Sequence, residues 1–600
     1  MDNRVFRMSE PTAPAPGARI PRRTILRGAF GLAGVALLAA CGSSTSPTAT
    51  TSASSTAAST SAAAATSSKT SAASTAAASS VASTSAAGAA SSSAAGTSAR
   101  ISSTSSAAGS ASPGAAGSPA AVDGKIPSPA VGVPDAYLKA PASFKSYDGV
   151  PGKGGKVSVF TIAYQSPPVP RDQNKYWQEL EKRLGVTWDP IITPQPNYGE
   201  KSAALLAGGQ LPDLFYLNPG QNATPQYKAM DQGAFLDLTP FVTGDALKQY
   251  KNLATFPDYM WNNVKFKGKI YGVPKPNNRN GNIAYYRADW TKKLGISEPK
   301  SPTEVHDLLV SFAKKDPDGD GQADTWGMGR YGTSETGWDN TLVFNMFGTP
   351  FNWRKNPDGT LTNQIETDEF RQSVDFLRQL FADGAYHPDA GGMTFAQAQT
   401  AFISGKTGLH SEGIGNFYSP DIAGTVYYKM RQANPKVELA GLMPSEPGGG
   451  KAVTYNTQGS FGFVGIPASI GKDQNRVQEL LRILDYLAAP FGSEEWHFLN
   501  YGVEGVDYKE DAKGIPVRTD QGNSERGDLV YVMAGLPYLY YPQTPEVAAQ
   551  AQQIAYGIIK IGQDDLTWPL YSPTYVSKSA ELRQFGFDSI TAIITGRQPL

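Results

Sequence analysis

The stretch DPDGDGQADTWG sets carboxylates at alternate positions, Asp316, Asp318 and Asp320, then Gly321, Gln322 and Asp324. Ca²⁺ takes six to eight oxygens on a tightly turning backbone, and an EF-hand loop supplies them from its first, third, fifth, seventh and ninth residues with glycine at the sixth. The spacing fits those offsets: three Asp carboxylates, a turn at Gly321, the backbone carbonyl of Gln322 and the carboxylate of Asp324. The twelfth place, where a bidentate Glu belongs, is Gly327. The stretch therefore predicts a structural Ca²⁺ site, and the missing carboxylate leaves a solvated Asp/Gly turn as the alternative.

Catalytic patterns are weak. The four histidines, His306, His387, His410 and His497, have no metal-ligand spacing. GLHSEG and QGSFG each miss the G-x-S-x-G elbow, neither AYQSPP nor NPGQN, the loops after the first and third strands, carries G-x-G-x-x-G, and no G-x-x-x-x-G-K-[ST] occurs. Glu412 and Glu504 could face a common cleft, as the paired carboxylates of a glycosidase require. No catalytic residue is assigned. With 53 basic and 53 acidic residues the formal net charge is zero, which gives no electrostatic case for nucleic acid.

The single cysteine, Cys41, ends an uncharged run from Gly28 that follows Arg22, Arg23 and Arg27. A basic front, a short apolar run and small residues describe an export signal over 1–40. Leu38-Ala39-Ala40-Cys41 resembles a bacterial lipobox, which implies acylation of Cys41 and a protein anchored on the outer face of the cell membrane or in the wall. Arg22-Arg23-Thr24-Ile25-Leu26-Arg27 also resembles a twin-arginine signal, so both export routes stay open. From Gly42 to Val122 there is no aromatic residue and no Leu, and the only charges are Lys69 and Arg100. Such a composition cannot bury enough apolar surface to offset the entropy of ordering it. With Asp123 to Gly155, rich in Pro, Gly and Lys, it predicts a disordered, lipid-anchored linker over 41–155.

The elements that would carry a site begin at Lys156. KVSVFTI reads as a strand, Asn174 to Leu184 as a helix stopped by Gly185, VTWDPII as a strand, YGEKSAALLAGG as a helix and DLFYL as a strand. This βαβαβ order predicts a mostly parallel sheet with ligands at the C-terminal strand ends. Ser301, Pro302 and Glu304 predict a capping box, with Val305, Leu308, Leu309 and Phe312 as one buried face. Trp177 and Trp326 read as core.

AMDQGAFLDLTPFV, KFKGKIYGVPKP, AYYRADWTKKLGISEPKSPTEVHDLLVSFAKKDPDGDGQADTWGM and LRILDYLAAPFGSEEWHFLNYGVEGVDY occur in that order. Together they resemble the extracellular solute-binding lipoproteins of ABC importers, in particular the group that binds aldouronate, alginate or other oligosaccharides. The resemblance implies an α/β, two-lobed, periplasmic-binding-protein-like fold of type II. It places lobe 1 over 156–274 and 460–515 and lobe 2 over 275–459 and 516–600, with crossings near Val273-Pro274, within Gly459 to Phe463, and within Gly514 to Tyr541. Alginate-binding relatives carry a similar calcium loop. Partners implied are an oligosaccharide and a membrane ABC permease, for a monomer that is not an enzyme.

A sugar site needs flat apolar faces and a few placed hydrogen-bonding groups. The loops expected at the cleft edge offer Tyr164, Gln165, Asn218, Asn278, Trp338, Glu412, Asn416, Glu504 and Trp568. A surface-anchored glycoside hydrolase or lyase and a peptide-binding or adhesion lipoprotein are the competing readings.

Overall fold

In the computed structural model the described residues are 121–600, apart from 332–336, 339–341, 418–423, 445–451 and 569. Cys41, the export signal and the Ser/Thr/Ala tether lie outside them.

Among the described residues, twelve of the twenty strands build the three larger sheets. They are β1 (Lys125–Ile126), β2 (Asp135–Tyr137), β3 (Lys156–Ala163), β4 (Thr187–Pro194), β5 (Leu214–Leu217) and β6 (Val273–Pro276). β7 (Ile283–Arg287), β8 (Trp326–Met328), β9 (Thr407–Glu412), β10 (Leu439–Leu442), β11 (Ser460–Gly465) and β12 (Tyr538–Tyr540) follow.

The first lobe is built on a sheet of order β4-β3-β5-β11-β6. β3 is parallel to β4 and β5, whereas β11 enters antiparallel between β5 and β6. β3 and β5 are apolar runs covered on both faces, as parallel strands must be. The helix Lys175–Leu184 buries Tyr176, Leu180 and Leu184. At its start the Asn174 side chain accepts from the Trp177 N–H at 2.8 Å, and at its end Gly185 takes φ +68°, the left-handed stop glycine favours.

The second lobe carries the sheet β8-β9-β7-β10. Along β7 the side chains alternate: Ala284 and Tyr286 enter the core that holds the helix Pro302–Lys314, while Ile283 and Tyr285 enter a separate core on the opposite side. Val305, Leu308, Leu309 and Phe312 are all fully buried. The cap differs from the expected box. Ser301 Oγ accepts from the Glu304 N–H at 3.2 Å, but the Glu304 carboxylate reaches past Ser301 to the N–H of Lys300 at 2.6 Å.

β6 and β11 continue as two crossing segments that stay hydrogen-bonded between the lobes. Asn277 N–H donates to Gly459 C=O at 2.9 Å and Thr457 N–H to Arg279 C=O at 2.8 Å. Gly462 in β11 has φ +80°, and a Cβ there would overlap the Leu217 carbonyl, so the crossing strand admits no side chain at that point.

Two expected boundaries move. Residues 123–155 are a folded strap instead of a linker: β1, β2 and β12 form one sheet, and Ile126, Val133 and Ala136 are buried with Leu539, Ala551 and Ile558 of the second lobe. The strap then reaches the first lobe, where Ser146 N–H donates to Glu495 at 2.9 Å. Its Pro/Gly content hid the sparse apolar residues that anchor it. The first lobe also keeps residues beyond 515, because Leu529, Val530, Val532 and Met533 belong to its core. The third crossing therefore falls between Met533 and Leu539.

Candidate ligand-binding cleft

A cavity of about 500 Å³ opens where β3 ends, β6 leaves the first lobe and the third crossing begins. Gln165, Lys275, Asn278, Trp496, Asp528 and Tyr531 are among the residues that line it. Its size is within the range of small-ligand sites.

Asp528 fixes one wall. Its carboxylate accepts from the backbone N–H groups of Tyr164 at 2.7 Å and Gln165 at 2.8 Å, pinning the chain just past the C-terminal end of β3. The Tyr164 ring is 49 % exposed, with its centroid 5.4 Å from that of Tyr531 and 6.2 Å from that of Phe461. Burial pushes its phenol up to about 12, and Asp528 adds to the shift, so the hydroxyl is a neutral donor at physiological pH. A flat, half-exposed ring beside fixed polar groups is what a sugar face requires.

Lys275 lies in β6, in the run VPKP, every residue of which is buried. Its ammonium sits 4.2 Å from the centroid of the Tyr531 ring. Burial pushes the amine down to about 8, opposed by Asp528 and reinforced by Arg526. Gln165 and Asn278 line the same cavity, and the Asn278 Oδ1 is buried without a partner while its backbone carbonyl accepts from Thr457 at 2.6 Å.

Other expected residues lie elsewhere. Asn218 is buried after β5, its N–H donating to the Tyr198 hydroxyl at 3.1 Å and its Nδ2 left without a partner. Glu412 ends β9, where it accepts from Gln399 and Asn416, each at 2.8 Å, with His410 Nε2 at 3.6 Å. Both carboxylate oxygens are thus engaged within the second lobe. Glu504 is exposed in a turn next to Tyr508, and neither acid lines the hinge cavity. Trp568 is half-buried and donates to the Asn263 carbonyl at 2.8 Å, outside the cavity. Trp338 is corrected outright as a stacking platform: it is fully buried in the second-lobe core, edge-on to Phe381 and Tyr386, with its N–H donating to Thr591. The glycines and polar residues around it made it resemble a loop aromatic.

Sequence reasoning passed over Lys275, Asp528, Tyr531 and Trp496. Lys275 did leave a signal, as the one charge in a four-residue buried run.

In the acidic loop, the carboxylates of Asp316, Asp318 and Asp320 come within 4.8 Å of one another. The N–H groups of Gly319 and Gly321 donate to Asp316, and that of Gln322 to Asp320. Burial raises the Asp318 carboxyl above its ordinary value, and the hydrogen bond to Asp316 and the charge of Asp320 raise it further. Three carboxylates that raise one another's proton affinity around a tight turn are a donor set that fits a divalent cation. Asp324 is held by Lys406, though its Oδ1 is buried without a partner. Gly327 stands in β8, and a Cβ there would be 2.6 Å from the Leu309 carbonyl, so packing forbids a twelfth-position carboxylate.

Two α/β lobes, crossing strands between them and a polar, aromatic-walled cavity at the crossing define a solute-binding architecture. Residues 169–490 match the bacterial extracellular solute-binding protein family, and the chain belongs to it. It is 26 % identical to lipoprotein LipO of Bacillus subtilis over 447 residues, which is 72 % of this chain and 84 % of LipO. It is 25 % identical to the polygalacturonan/rhamnogalacturonan-binding protein YtcQ of the same organism, covering 61 % of this chain and 69 % of YtcQ. Among solved structures, the substrate-binding protein FusA of Streptococcus pneumoniae in complex with kestose superposes with a TM-score of 0.54 at 18 % identity, covering 73 % of this chain and 92 % of FusA. Among the described residues no helix is long and apolar enough to cross a membrane.

Proposed function

We propose that this protein is the lipid-anchored substrate-binding component of an ABC importer. It captures an oligosaccharide between its lobes and presents it, chemically unchanged, to a membrane permease. The observation that carries this reading is the hinge cavity itself, where Gln165, Asn278, Trp496 and Asp528 line the space beside the hydrogen-bonded crossing strands and the half-exposed Tyr164 ring packs on Tyr531 of that lining. Ligand held there and by the second lobe together is fully bonded only when the lobes close, so binding favours closure. Family membership, the sugar named for YtcQ and the kestose bound to FusA support an oligosaccharide as the solute.

Asp316, Asp318 and Asp320 would hold a structural Ca²⁺, with the Gln322 carbonyl and Asp324 as further donors. The ion would neutralise the three clustered charges and fix the turn. Cys41 would carry the lipid, and residues 41–120 would tether the body to the membrane.

Calorimetry and scattering on a panel of plant and microbial oligosaccharides test the function. One site, a smaller radius of gyration with ligand and unaltered sugar after incubation are expected. A sugar cleaved on incubation would replace capture with hydrolysis, and binding without compaction would replace transport with adhesion.

A further inference from the structure

Past the helix Glu546–Lys560, which packs in the second lobe, the chain leaves that lobe and later returns to it. On the way out Asp564 accepts from Arg279 at 2.7 and 2.8 Å and from Asn456 at 2.9 Å, and Asp565 accepts from Asn352 at 2.9 Å. On the way back Ile590 and Ile594 of the helix Pro573–Ile594 are buried in the second-lobe core. Between these fastenings the chain holds the first lobe. The Trp568 indole N–H donates to the Asn263 carbonyl at 2.8 Å, and Thr224 Oγ1 donates to the Val576 carbonyl at 2.7 Å. The Tyr571 ring packs against the first-lobe core, its centroid 4.9 Å from that of Phe266 and 5.2 Å from the Lys267 ammonium.

These contacts lie at the edges of the two sheets that the crossings join. β11 pairs antiparallel with β5 from Phe463↔Leu217, just after the second crossing, so the C-terminal end of β5 is at that edge, and Thr224 is on the helix Pro219–Asp231 that follows it. In the second sheet Glu412, the end of β9, pairs with Ile283, the start of β7 after the first crossing, and β8 runs parallel to β9. The residues after β8 hold the C-terminal helix: the Arg330 guanidinium is 4.8 Å from the centroid of the Phe587 ring, and a Cβ on Gly337 would lie 2.3 Å from that ring. The helix thus runs from the cleft edge of one lobe to the cleft edge of the other. Between Pro573 and Phe585 only Ser579 is buried, so the hold on the first lobe is what places this half.

We propose that Trp568, Tyr571 and Val576 form a clasp across the cleft that favours the closed arrangement of the lobes, so that part of the drive to close is built into the chain and less is drawn from the sugar. This rests on the reading of the cleft as a sugar site. Rotating the lobes apart about the crossings carries Thr224 away from Val576 and draws Tyr571 out of its seat, so the contacts are lost on opening. The apparent affinity for a ligand of the closed form scales with the population of that form, and one aromatic seat is enough to move it.

Scattering and calorimetry on the full chain would compare wild type with Trp568→Ala/Tyr571→Ala and with Thr224→Val, a change at an exposed position that leaves the cores intact. The probes are a panel of oligosaccharides with kestose and trigalacturonate among them. Without sugar both variants should have a larger radius of gyration than wild type. A probe that binds wild type should bind the double variant about fivefold more weakly, the scale of one aromatic contact. A sugar-free radius equal to that of wild type in both variants overturns the proposal, and Thr224→Val decides alone if the double variant does not fold. Weaker binding with an unchanged sugar-free radius would make Trp568 and Tyr571 direct sugar contacts and overturns it too. A probe bound with compaction and equal affinity by all three proteins removes the clasp and leaves oligosaccharide capture standing. Larger sugar-free radii in the variants, with no sugar of the panel bound by wild type, keep the clasp and remove the capture reading.

Discussion

The indole N–H of Trp338 donates to the Thr591 hydroxyl at 2.9 Å, tying the loop before the helix Val343–Met346 to the last turn of the C-terminal helix Pro573–Ile594. The ring is fully buried, so its work is packing. Trp338→Ala should lower unfolding free energy by about 3–5 kcal/mol, the usual cost of deleting a buried aromatic. Denaturant titration checks this, and sugar affinity of the folded fraction should not change. A variant as stable as wild type but deficient in binding would restore the ring to the cleft.

Tyr164 is a half-exposed aromatic packed on Tyr531 of the cavity lining, and Tyr164→Ala keeps the backbone bond to Asp528. Tyr164→Ala should weaken binding of the cognate sugar by about 0.5–1.5 kcal/mol, the increment of an aromatic contact, with little effect on melting. Equal affinity in calorimetry would remove the ring from the site.

Asp485 is 2 % exposed and accepts from the N–H groups of Asn252 at 2.8 Å and Leu253 at 2.9 Å. Burial pushes its carboxyl up to about 6 despite those two bonds. In the unfolded chain it titrates near 3.9. Between the two values the folded state binds more protons, so this group's contribution to stability falls as pH rises through that window and stays low above it. Asp485→Asn keeps an acceptor for both N–H groups without the charge. It should flatten the pH 4–6 stability profile and be at least as stable as wild type at pH 7.5. Destabilisation at pH 7.5 would show that the carboxylate charge is needed.

The βαβαβ start was legible because its signals are local: apolar runs such as VSVF, the Asn174 cap and the Gly185 stop all lie within a few residues of what they specify. The crossing strands were legible only through resemblance, since nothing local tells VPKP that it leaves one lobe for another. The strap 123–155 was not legible, because three buried side chains among prolines have no periodicity until β12 arrives some 400 residues later to pair with β2. The same holds for the site. Asp528 acts on Tyr164 and Lys275 through space, and the Trp338 surroundings share the Gly/Ser/Thr composition of a cleft loop while the fold closes over the ring.

Calcium should stabilise the body through Asp316, Asp318 and Asp320. At a hundredfold excess over its dissociation constant, a ligand confined to the folded state adds about 2.7 kcal/mol. The Asp318 carboxyl is raised, so protons compete with the metal, and the melting shift on adding Ca²⁺ should be larger at pH 7 than at pH 4. Asp318→Asn should reduce the shift. Gly327→Glu should destabilise the fold instead of completing the site, because β8 has no room for its Cβ beside the Leu309 and Ala385 carbonyls. No melting shift with Ca²⁺ at pH 7 would leave the loop as a solvated turn.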